Sequence, residues 1–428
     1  MRYFLVFILS LLMLSAVCSA QSYERLYVVQ WGDESLAEIN LATGNVTAHA
    51  VDLGYGCNDI CISGSRIYVA NSLINTLQEI DAQSNHTVRD LPMVGGLNPY
   101  SVASLNSDTL LVTHFRSNNV LLIRLSDGAI AGRIPVGIAP EGIVVSGDYF
   151  FVCCTGYSQQ GYDPGTVHVF NRGTLLPVDT LQVGLNPQFA AVDHRNRLHV
   201  VCTGNYSEIT GEIHVFALSD LQRDTILAIG GTPSRVSFGG GYAFLAAGGW
   251  SGSGSVFRYS LESLQLLNGP SNPIQTSTGA YDVAALPNGS FFISCSGADV
   301  VEQRDATGGL IRSFLVSSNP GYIALYRTDN VQNTLKIYDK DYNYMCAYPN
   351  PFNGVVNFKL HSQNVMHYNI NIYNKVGQLV DRLSVPAGTS VIQWNSGARL
   401  GNSLSSGVYY VTVPGFLNAD ILKIALIK

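Results

Sequence analysis

The stretch IYVANSLINTLQEIDAQSNHTVRDLPMVGGLNPYSVASL, residues 67–105, contains four short strand-like segments in succession. An apolar run, IYVA, is followed by an alternating run, LQEI, and a third segment leads through VGGLNP into the apolar SVASL. Runs of this length that contain β-branched and aromatic residues and end at Gly, Pro or Asn indicate β-strands. The stretch therefore predicts one four-stranded antiparallel unit.

The first run of this unit recurs along the chain at intervals of 40 to 48 residues. Its seven copies are LYVV (26), IYVA (67), LLVT (110), FFVC (150), LHVV (198), AFLA (243) and FFIS (291). A helical repeat would need a 3.6-residue periodicity over ten or more positions, and these runs are too short for that. A four-stranded unit of this length, repeated seven times, predicts an all-β fold, namely a seven-bladed β-propeller.

The phase of the repeat predicts how the ring closes. The chain enters at a second strand, beginning near Leu26, and the last complete unit is followed by one more inner strand at 321–326. We expect this last segment to pair beside residues 26–30 and to complete the first blade. That pairing removes two exposed sheet edges.

The repeat resembles the YVTN family of seven-bladed propellers over residues 23–328. The resemblance depends on IYVAN (67–71), LQEIDAQSN (77–85) and VGGLNPYSVA (94–103). Related propellers include lactonases, quinoprotein dehydrogenases and binding proteins, so the resemblance implies a fold and not one function. A quinoprotein is disfavoured, because the repeated tryptophan motifs expected of its blades are missing from a chain with 3 Trp.

The charge of the chain limits its partners. Charged residues make up 13% of the sequence and the formal net charge is -6. Such a surface does not attract phosphate backbones or anionic lipids, so we expect no nucleic-acid partner. No segment after the N-terminal one has about 18 continuous apolar residues, so we expect no transmembrane helix in the mature chain, which we predict to be a monomer.

Three neighbouring units carry longer loops between their second and third strands. The loops are CTGYSQQGYDPG (154–165), CTGNYSEITG (202–211) and GGWSGSGS (248–255). In a propeller of this strand order they share a face with the loops that lead into the inner strands. The rigid amphipathic side chains of Tyr157, Tyr162, Tyr206 and Trp250 would raise a wall on blades 4–6 that binds a glycan or a protein. Alternatively, they are loop aromatics that fold over the blade ends.

A second group of residues offers a catalytic alternative. His114, Arg116, Glu141, Arg235 and Asp282 are predicted near the channel mouth. A histidine, a carboxylate and two arginines could perform acid/base chemistry on an anionic or lactone substrate, as in a hydrolase. Glu141 with Asp59 or Asp282 could instead contribute to a Ca²⁺ site, although the sequence does not supply six oxygen ligands. No other cofactor and no metal-binding motif is indicated.

The N-terminus has the pattern of a signal peptide. Arg2 gives a positive start, residues 4–14 are apolar, and Cys18-Ser19-Ala20 is a small-residue cleavage site. The predicted organisation is a signal peptide (1–20), a propeller (21–328), a linker (329–345) and a C-terminal domain (346–428).

The C-terminal domain contains short alternating strands between turn signals. They are VVNFKL (355), YNINIYN (368), QLVDRLSV (378), SVIQWN (390), GVYYVTV (407) and LKIALIK (422). About eighty residues of this pattern predict a small Ig-like β-sandwich.

Five ordered motifs in this domain resemble the C-terminal sorting domain of type IX secretion, a module related to FlgD-type Ig-like domains. They are YPNPFNG (348–354), INIYNKVGQLV (370–380), IQWNSG (392–397), SLSSGVYYVTV (403–413) and LKIALIK (422–428). The motif positions are Pro349, Asn350, Pro351, Gly377, Gly407, Tyr409 and Lys423. Gly354 departs from the family, because many members have a second proline there.

The resemblance implies that the type IX secretion machinery carries the protein out of the cell, after passage through the periplasm, to be secreted or attached to the outer surface. An Ig-like domain that only stabilises or presents the propeller is the alternative. The prediction for the whole chain is an exported binding propeller whose ligand, a glycan or a protein, contacts blades 4–6. A secreted lactonase or hydrolase acting at the channel mouth is the alternative, and an enzyme is the less favoured of the two.

Overall fold

The computed structural model describes residues 24–248, 254–327, 345–348, 350, 352–360, 368–375, 378–386, 389, 391–396, 404–412 and 422–426. The signal peptide predicted for residues 1–20 and all but Met345 of the predicted linker lie outside these residues. The chain divides into two compact units, Met1–Ile337 and Tyr338–Lys428. Both are built from antiparallel β-sheets, and the described residues contain no helix.

Seven sheets form the first unit in its described part, each with its strands in order from the inside to the outside. Blade 1 consists of Pro320–Tyr326, Arg25–Gln30, Ser35–Asn40 and Val46–Asp52; blade 2 of Cys57–Ser63, Arg66–Asn71, Thr76–Asp81 and His86–Pro92; blade 3 of Pro99–Asn106, Thr109–His114, Asn119–Arg124 and Ile130–Pro135; blade 4 of Pro140–Ser146, Tyr149–Cys154, Pro164–Asn171 and Pro177–Leu185.

The remaining blades follow the same order. Blade 5 consists of Pro187–Val192, Arg197–Cys202, Glu212–Ala217 and Arg223–Ala228; blade 6 of Arg235–Gly239, Tyr242–Ala246, Ser255–Ser260 and Leu266–Asn268, with Ile274–Gln275 also paired to the third strand; blade 7 of Ala280–Ala285, Phe291–Cys295, Val300–Arg304 and Leu310–Leu315. A hairpin of Tyr157–Ser158 and Gly161–Tyr162 lies in the long loop of blade 4. Each inner strand contacts the inner strands of both neighbours, so the ring is closed.

The predicted closure of the ring is confirmed. Arg25 pairs with Tyr326, Leu26 with Leu325 and Val28 with Ile323, in an antiparallel ladder between the first and last strands of the propeller. Blade 1 therefore consists of three strands from the start of the unit and one from its end, and the edges of both are covered.

The apolar second strands occupy the spaces between blades. Side chains alternate along a strand, so successive residues reach different neighbours. In blade 1, Leu26 and Val28 pack toward Phe292 of blade 7, whereas Tyr27 and Val29 pack toward Ile67 of blade 2. Both faces of each inner blade region are buried, which explains why these strands read as continuous apolar runs and not as alternating ones.

The second unit is a two-sheet β-sandwich. One sheet contains Met345–Tyr348, Val355–Leu360 and Val391–Asn395; the other contains Leu379–Val385, Tyr368–Asn374, Gly407–Thr412 and Leu422–Leu426. Both sheets contribute to one core, in which Trp394 is 1% exposed and lies between Phe352 and Tyr409. The indole nitrogen of Trp394 donates to Oδ2 of Asp381 at 2.8 Å, so its polar edge is satisfied within the sandwich.

Candidate functional site

The inner strands bring seven equivalent positions to the centre of the ring. Each strand begins after a Pro or Gly turn, and the residue before the proline has a positive φ at Asn98, Ala139, Asn186 and Asn319. The second and third residues of the inner segment, such as Tyr100 and Ser101, then lie at a register shift between the first two strands of most blades. A β-bulge re-aims side chains. These paired positions supply most of the polar and aromatic groups of the channel.

A cavity of about 580 Å³ opens at the mouth of the channel on the face where these inner strands begin. Blades 1, 2, 3 and 7 line it, through Trp31, Gly56, Cys57, Asn58, Ser72, Asn98, Tyr100, Gly279, Tyr281, Ser296, Gly297 and Asn319. We call this space the axial pocket. None of its lining residues is Asp, Glu, Lys, Arg or His. It presents aromatic rings, side-chain amides and hydroxyls, and its volume falls in the range of small-molecule sites.

An aromatic triad holds one side of the axial pocket. The ring of Trp31 lies 4.4 Å from Tyr281 and 5.7 Å from Tyr322, edge to face, and the hydroxyls of the two tyrosines are 3.1 Å apart. An added Cβ at Gly321 would collide with the indole of Trp31, so a residue without a side chain is needed there. The triad is thereby fixed before any ligand arrives, which lowers the entropic cost of binding.

A charged cluster spans the channel one residue deeper along the inner strands. Nη2 of Arg235, from blade 6, lies 2.8 Å from Oδ1 of Asp59, from blade 2 on the opposite side of the ring. The guanidinium is sandwiched between the rings of Phe189 and Tyr322, at 4.2 and 4.3 Å from their centroids. Arginine is suited to this position because its planar group pairs and stacks at the same time.

The carboxylates around Arg235 are individually satisfied. Asp59 accepts from the hydroxyl of Ser101 and from the backbone of Val102, and Asp282 accepts from the backbone of Ile323 at 2.9 Å. Burial raises the pKa of Asp282 to about 6, although Arg235 opposes that shift. Among the described residues no three Asp, Glu, His or Cys side chains come together as a metal site. With an arginine at its centre, this cluster does not fit the Ca²⁺ considered above.

Glu141 differs from these carboxylates in that one of its oxygens is left without a hydrogen-bond partner among the described residues. Its side chain is buried, at 5% exposure, and its Oε2 has no hydrogen-bond partner in the described part of the chain. Burial raises the pKa of Glu141 to about 8, against the opposing influence of the Tyr100 hydroxyl and Arg235. The carboxyl is therefore mostly protonated at neutral pH. It borders a void of about 10 Å³ that Tyr100, Gln188 and Arg235 also line.

The structure separates His114 and Arg116 from Glu141. The neighbouring Thr113 donates from Oγ1 to the backbone oxygen of Glu141 at 2.7 Å, and adjacent residues of a strand point to opposite faces. His114 faces the other way, under Gly96, with Nδ1 3.1 Å from the carbonyl of Val112.

Burial lowers the pKa of His114 to about 4, so the ring is neutral. Arg116 is exposed in the following turn. Of the predicted catalytic group, only Glu141, Arg235 and Asp282 meet at the channel.

The predicted tyrosine wall forms in part. Tyr157 and Tyr162 face each other across the small hairpin, with ring centroids 5.2 Å apart, and Tyr162 lies 6.4 Å from Tyr206. Tyr157 and Tyr206 are 45% and 42% exposed. The hydroxyl of Tyr206 accepts from Nε2 of Gln188 at 2.9 Å. Trp250, the fourth predicted member, lies outside the described residues.

Phe115 connects this wall to the axial pocket. Its ring lies 5.9 Å from Tyr157 and 5.8 Å from Tyr100, which lines the pocket. The aromatic surface therefore continues from blade 5 to blade 3. Sequence analysis missed Trp31, Tyr100 and Tyr281, although an alignment of the segments after each LNP-like turn would have placed Tyr100 and Tyr281 beside Glu141.

In the sandwich, the motif residues tie the start of the domain to its end. Oδ1 of Asn350 accepts from the backbone of Ala425 at 2.9 Å, and Phe352 is buried and bridges to Leu426. The hydroxyl of Tyr409 donates to the carbonyl of Ser405 at 2.7 Å. Gly354 has a φ of 82°, which a proline cannot adopt.

The other motif positions are described only in part. Gly407 begins its strand, and the backbone of Lys423 pairs with Tyr410. Pro349, Pro351 and Gly377 lie outside the described residues.

Comparison with solved structures shows that the fold is shared with distant proteins. The chain is similar to hydrazine synthase of Kuenenia stuttgartiensis, with a TM-score of 0.52 and 14% identity over 64% of this chain and 96% of that one. It is also similar to a functionally unknown protein of Desulfotomaculum acetoxidans, with a TM-score of 0.55 and 16% identity over 72% and 100% of the two chains.

A third similar structure is dihydro-heme d1 dehydrogenase NirN, with a TM-score of 0.50 and 14% identity over 88% and 75%. At these identities the likeness concerns the fold alone. No curated protein matches the sequence.

Comparison with protein families identifies the second unit. Residues 346–424 match the family described as secretion system C-terminal sorting domain. No helix in the described residues is long and apolar enough to cross a membrane. The protein therefore carries a C-terminal sorting domain of the type IX secretion system, and it is exported and then secreted or attached to the cell surface.

Proposed function

We propose that the exported propeller is a glycan-binding protein and that the axial pocket, together with the tyrosine wall, is its binding surface. The observation that carries the proposal is the uncharged lining of the pocket, in which Trp31 and two tyrosines lie among asparagines and serines. Aromatic faces stack on the apolar faces of sugar rings, and amides and hydroxyls exchange hydrogen bonds with sugar hydroxyls. The YVTN assignment, which depends on the sequence motifs alone, is part of this proposal.

The positions of the wall residues relative to the pocket support the same function. The wall residues Tyr157, Tyr162 and Tyr206 are linked to the pocket through Phe115, so a chain of several sugars could extend from the pocket over blades 4 and 5. Export to the outside of the cell would bring this surface to extracellular or surface glycans. A hydrolase at the same mouth would have to work without His114, which faces away from Glu141.

A protein ligand is the second candidate, because apolar side chains flank the pocket. Leu73, Ile74 and Leu97 are 62%, 49% and 53% exposed, next to the pocket residues Ser72 and Asn98. Apolar side chains of this kind favour a protein partner over a sugar.

Binding to an array of neutral glycans tests the proposal. We expect Trp31→Ala to weaken binding at least about tenfold, as the loss of a buried aromatic anchor does, and Tyr157→Ala with Tyr206→Ala to weaken only longer chains. Tyr149→Ala is the matched control, since Tyr149 begins the second strand of blade 4 on the face of the propeller opposite the pocket. Absence of binding to any glycan, or equal loss in the control, would contradict the proposal.

A further inference from the structure

The axial pocket adjoins a small void with polar lining. Tyr100 and Tyr281 line both the pocket and the void of about 10 Å³, so the two spaces are neighbours. The void is also bordered by Glu141 and Gln188, which occupy in blades 4 and 5 the position that Tyr100 occupies in blade 3, and by Arg235, one residue further along its own strand. The void therefore adjoins the pocket at the level of Tyr100 and Tyr281, next to Arg235.

The polar groups around the void can both donate and accept hydrogen bonds. Glu141 lines the void and is 5% exposed, and its Oε2 has no hydrogen-bond partner among the described residues. Arg235 is already paired with Asp59, so it does not attract a second anion strongly. A protonated carboxyl both donates and accepts one hydrogen bond, which matches a hydroxyl group. A buried polar atom without a partner costs about 1–3 kcal/mol, so a ligand that supplies the partner gains affinity.

Size restricts what can enter. A void of about 10 Å³ accommodates about one water-sized group and excludes a sugar ring. Only a slender substituent can occupy the void while the sugar ring remains in the adjoining pocket. The exocyclic hydroxymethyl of a hexose is such a substituent, because its hydroxyl is carried on one freely rotating carbon.

From this geometry we infer that Glu141 is a specificity-determining residue that receives the exocyclic hydroxymethyl group of a neutral hexose. The inference rests on the proposed glycan-binding function and adds the class of sugar and the group that is recognised. A 6-deoxy sugar leaves Glu141 unpartnered and is rejected, since sites built to bind a hydroxyl discriminate strongly against ligands that lack it.

Matched sugar pairs test this assignment. The purified full chain is titrated by calorimetry with D-galactose and D-fucose, and with D-glucose and 6-deoxy-D-glucose, members of each pair differing only in the 6-hydroxyl. We expect the hydroxymethyl sugar of at least one pair to bind about tenfold or more tightly at pH 6. Glu141→Gln, which keeps one donor and one acceptor, should preserve that ratio, and Glu141→Leu should reduce it to about one.

The pH dependence provides a readout that does not rely on folding of a variant. Above pH 8 the wild-type carboxyl loses its proton and only accepts hydrogen bonds, so the ratio should differ between pH 6 and pH 9, whereas in Glu141→Gln it should be the same at both. Equal binding of both members by the wild type, or an unchanged ratio in Glu141→Leu, overturns the inference. If Trp31→Ala still abolishes binding in that case, the glycan-binding function stands without this subsite; if no sugar binds, both fail.

Discussion

The propeller and the sorting module are both antiparallel β-structures, but the residues that carry their functions are distributed differently along the sequence. The module has one core around Trp394 and a set of ordered sequence motifs. Asn350 and Phe352, in the first of these motifs, contact the backbone of the last motif. The propeller has a core between each pair of blades and distributes its binding residues over inner strands that are far apart in sequence. A linear motif can reveal the first arrangement and cannot reveal the second.

This difference predicts that the two units can be disabled separately. Each described unit buries its own apolar core, so each is expected to fold without the other. The consequences should be unlike: loss of the module affects where the protein is found, and changes at the propeller centre affect its stability and its ligand.

Deletion of residues 346–428 should give the largest effect. We expect the propeller to fold but to be retained inside the cell envelope, because the family matched at 346–424 is a sorting domain. Fractionation followed by detection of the propeller measures this. The matched control is full-length Trp31→Ala, which should be exported normally. Export of the truncated chain at the wild-type level would show that the module is not needed for sorting and would break the comparison.

Arg235→Met should produce the next largest effect, confined to the propeller. It leaves Asp59 buried and unpaired, and breaking a buried pair in this way costs about 3–5 kcal/mol. The double variant with Asp59→Asn should recover part of that loss. Calorimetry on the full chain measures it as a lower transition temperature of the propeller, with the transition of the module unchanged.

The control for this experiment is Arg124→Met. Arg124 pairs with Asp127 at 2.6 Å, but both side chains are about half exposed, so its removal should cost little stability. Equal destabilisation by the two substitutions would contradict the view that Arg235 holds the channel together.

The sequence predicts the fold well because the evidence for it is local and repeated. Runs such as LYVV and FFVC are apolar at successive positions since both faces of the second strand are buried, and seven copies reinforce one another. The closure between Arg25 and Tyr326 follows from counting strands. The repeat and the number of strands both remain recognisable when the sequence of any single blade varies.

The site is less predictable because it forms only when the ring closes. Tyr157 and Tyr162 follow the strand that ends at Cys154 and are recognisable in the sequence as loop aromatics. Trp31 and Tyr281 meet at 4.4 Å although they belong to the first and the last blade. The sequence predicts His114 near Glu141 at the channel mouth, but the alternation of side chains along its strand places it on the opposite face of its blade, next to Gly96.

Glu141→Gln should have little effect on stability near pH 5 and an effect that grows as pH rises. The folded pKa of Glu141 is about 8 and the ordinary value is 4.5, so folding takes up a proton between these limits. The contribution of this group to the free energy of unfolding of the wild type is fully present below pH 4.5. It is lost as pH rises through 8, by up to about 1.4 kcal/mol per pH unit. The glutamine of the variant does not titrate. The free energy of unfolding of the variant relative to that of the wild type should therefore increase from pH 5 to pH 8 and then remain constant.

Glu302→Gln supplies a control of opposite sign within the same propeller. Glu302 is also buried, at 3% exposure, but it pairs with Arg304 at 2.7 Å, and the hydrogen bonds of Arg304 and Ser277 hold its pKa below the usual range despite burial. Its stabilisation is present above the unfolded pKa and is lost as pH falls, so this variant should be less stable than the wild type at pH 7 and approach it in acid. Denaturant unfolding at pH 5, 7 and 9 compares the two. Parallel curves for Glu141→Gln and the wild type would mean that Glu141 is ionised in the folded protein, and the contrast between an unpaired carboxyl at the channel and a paired one in blade 7 would not hold.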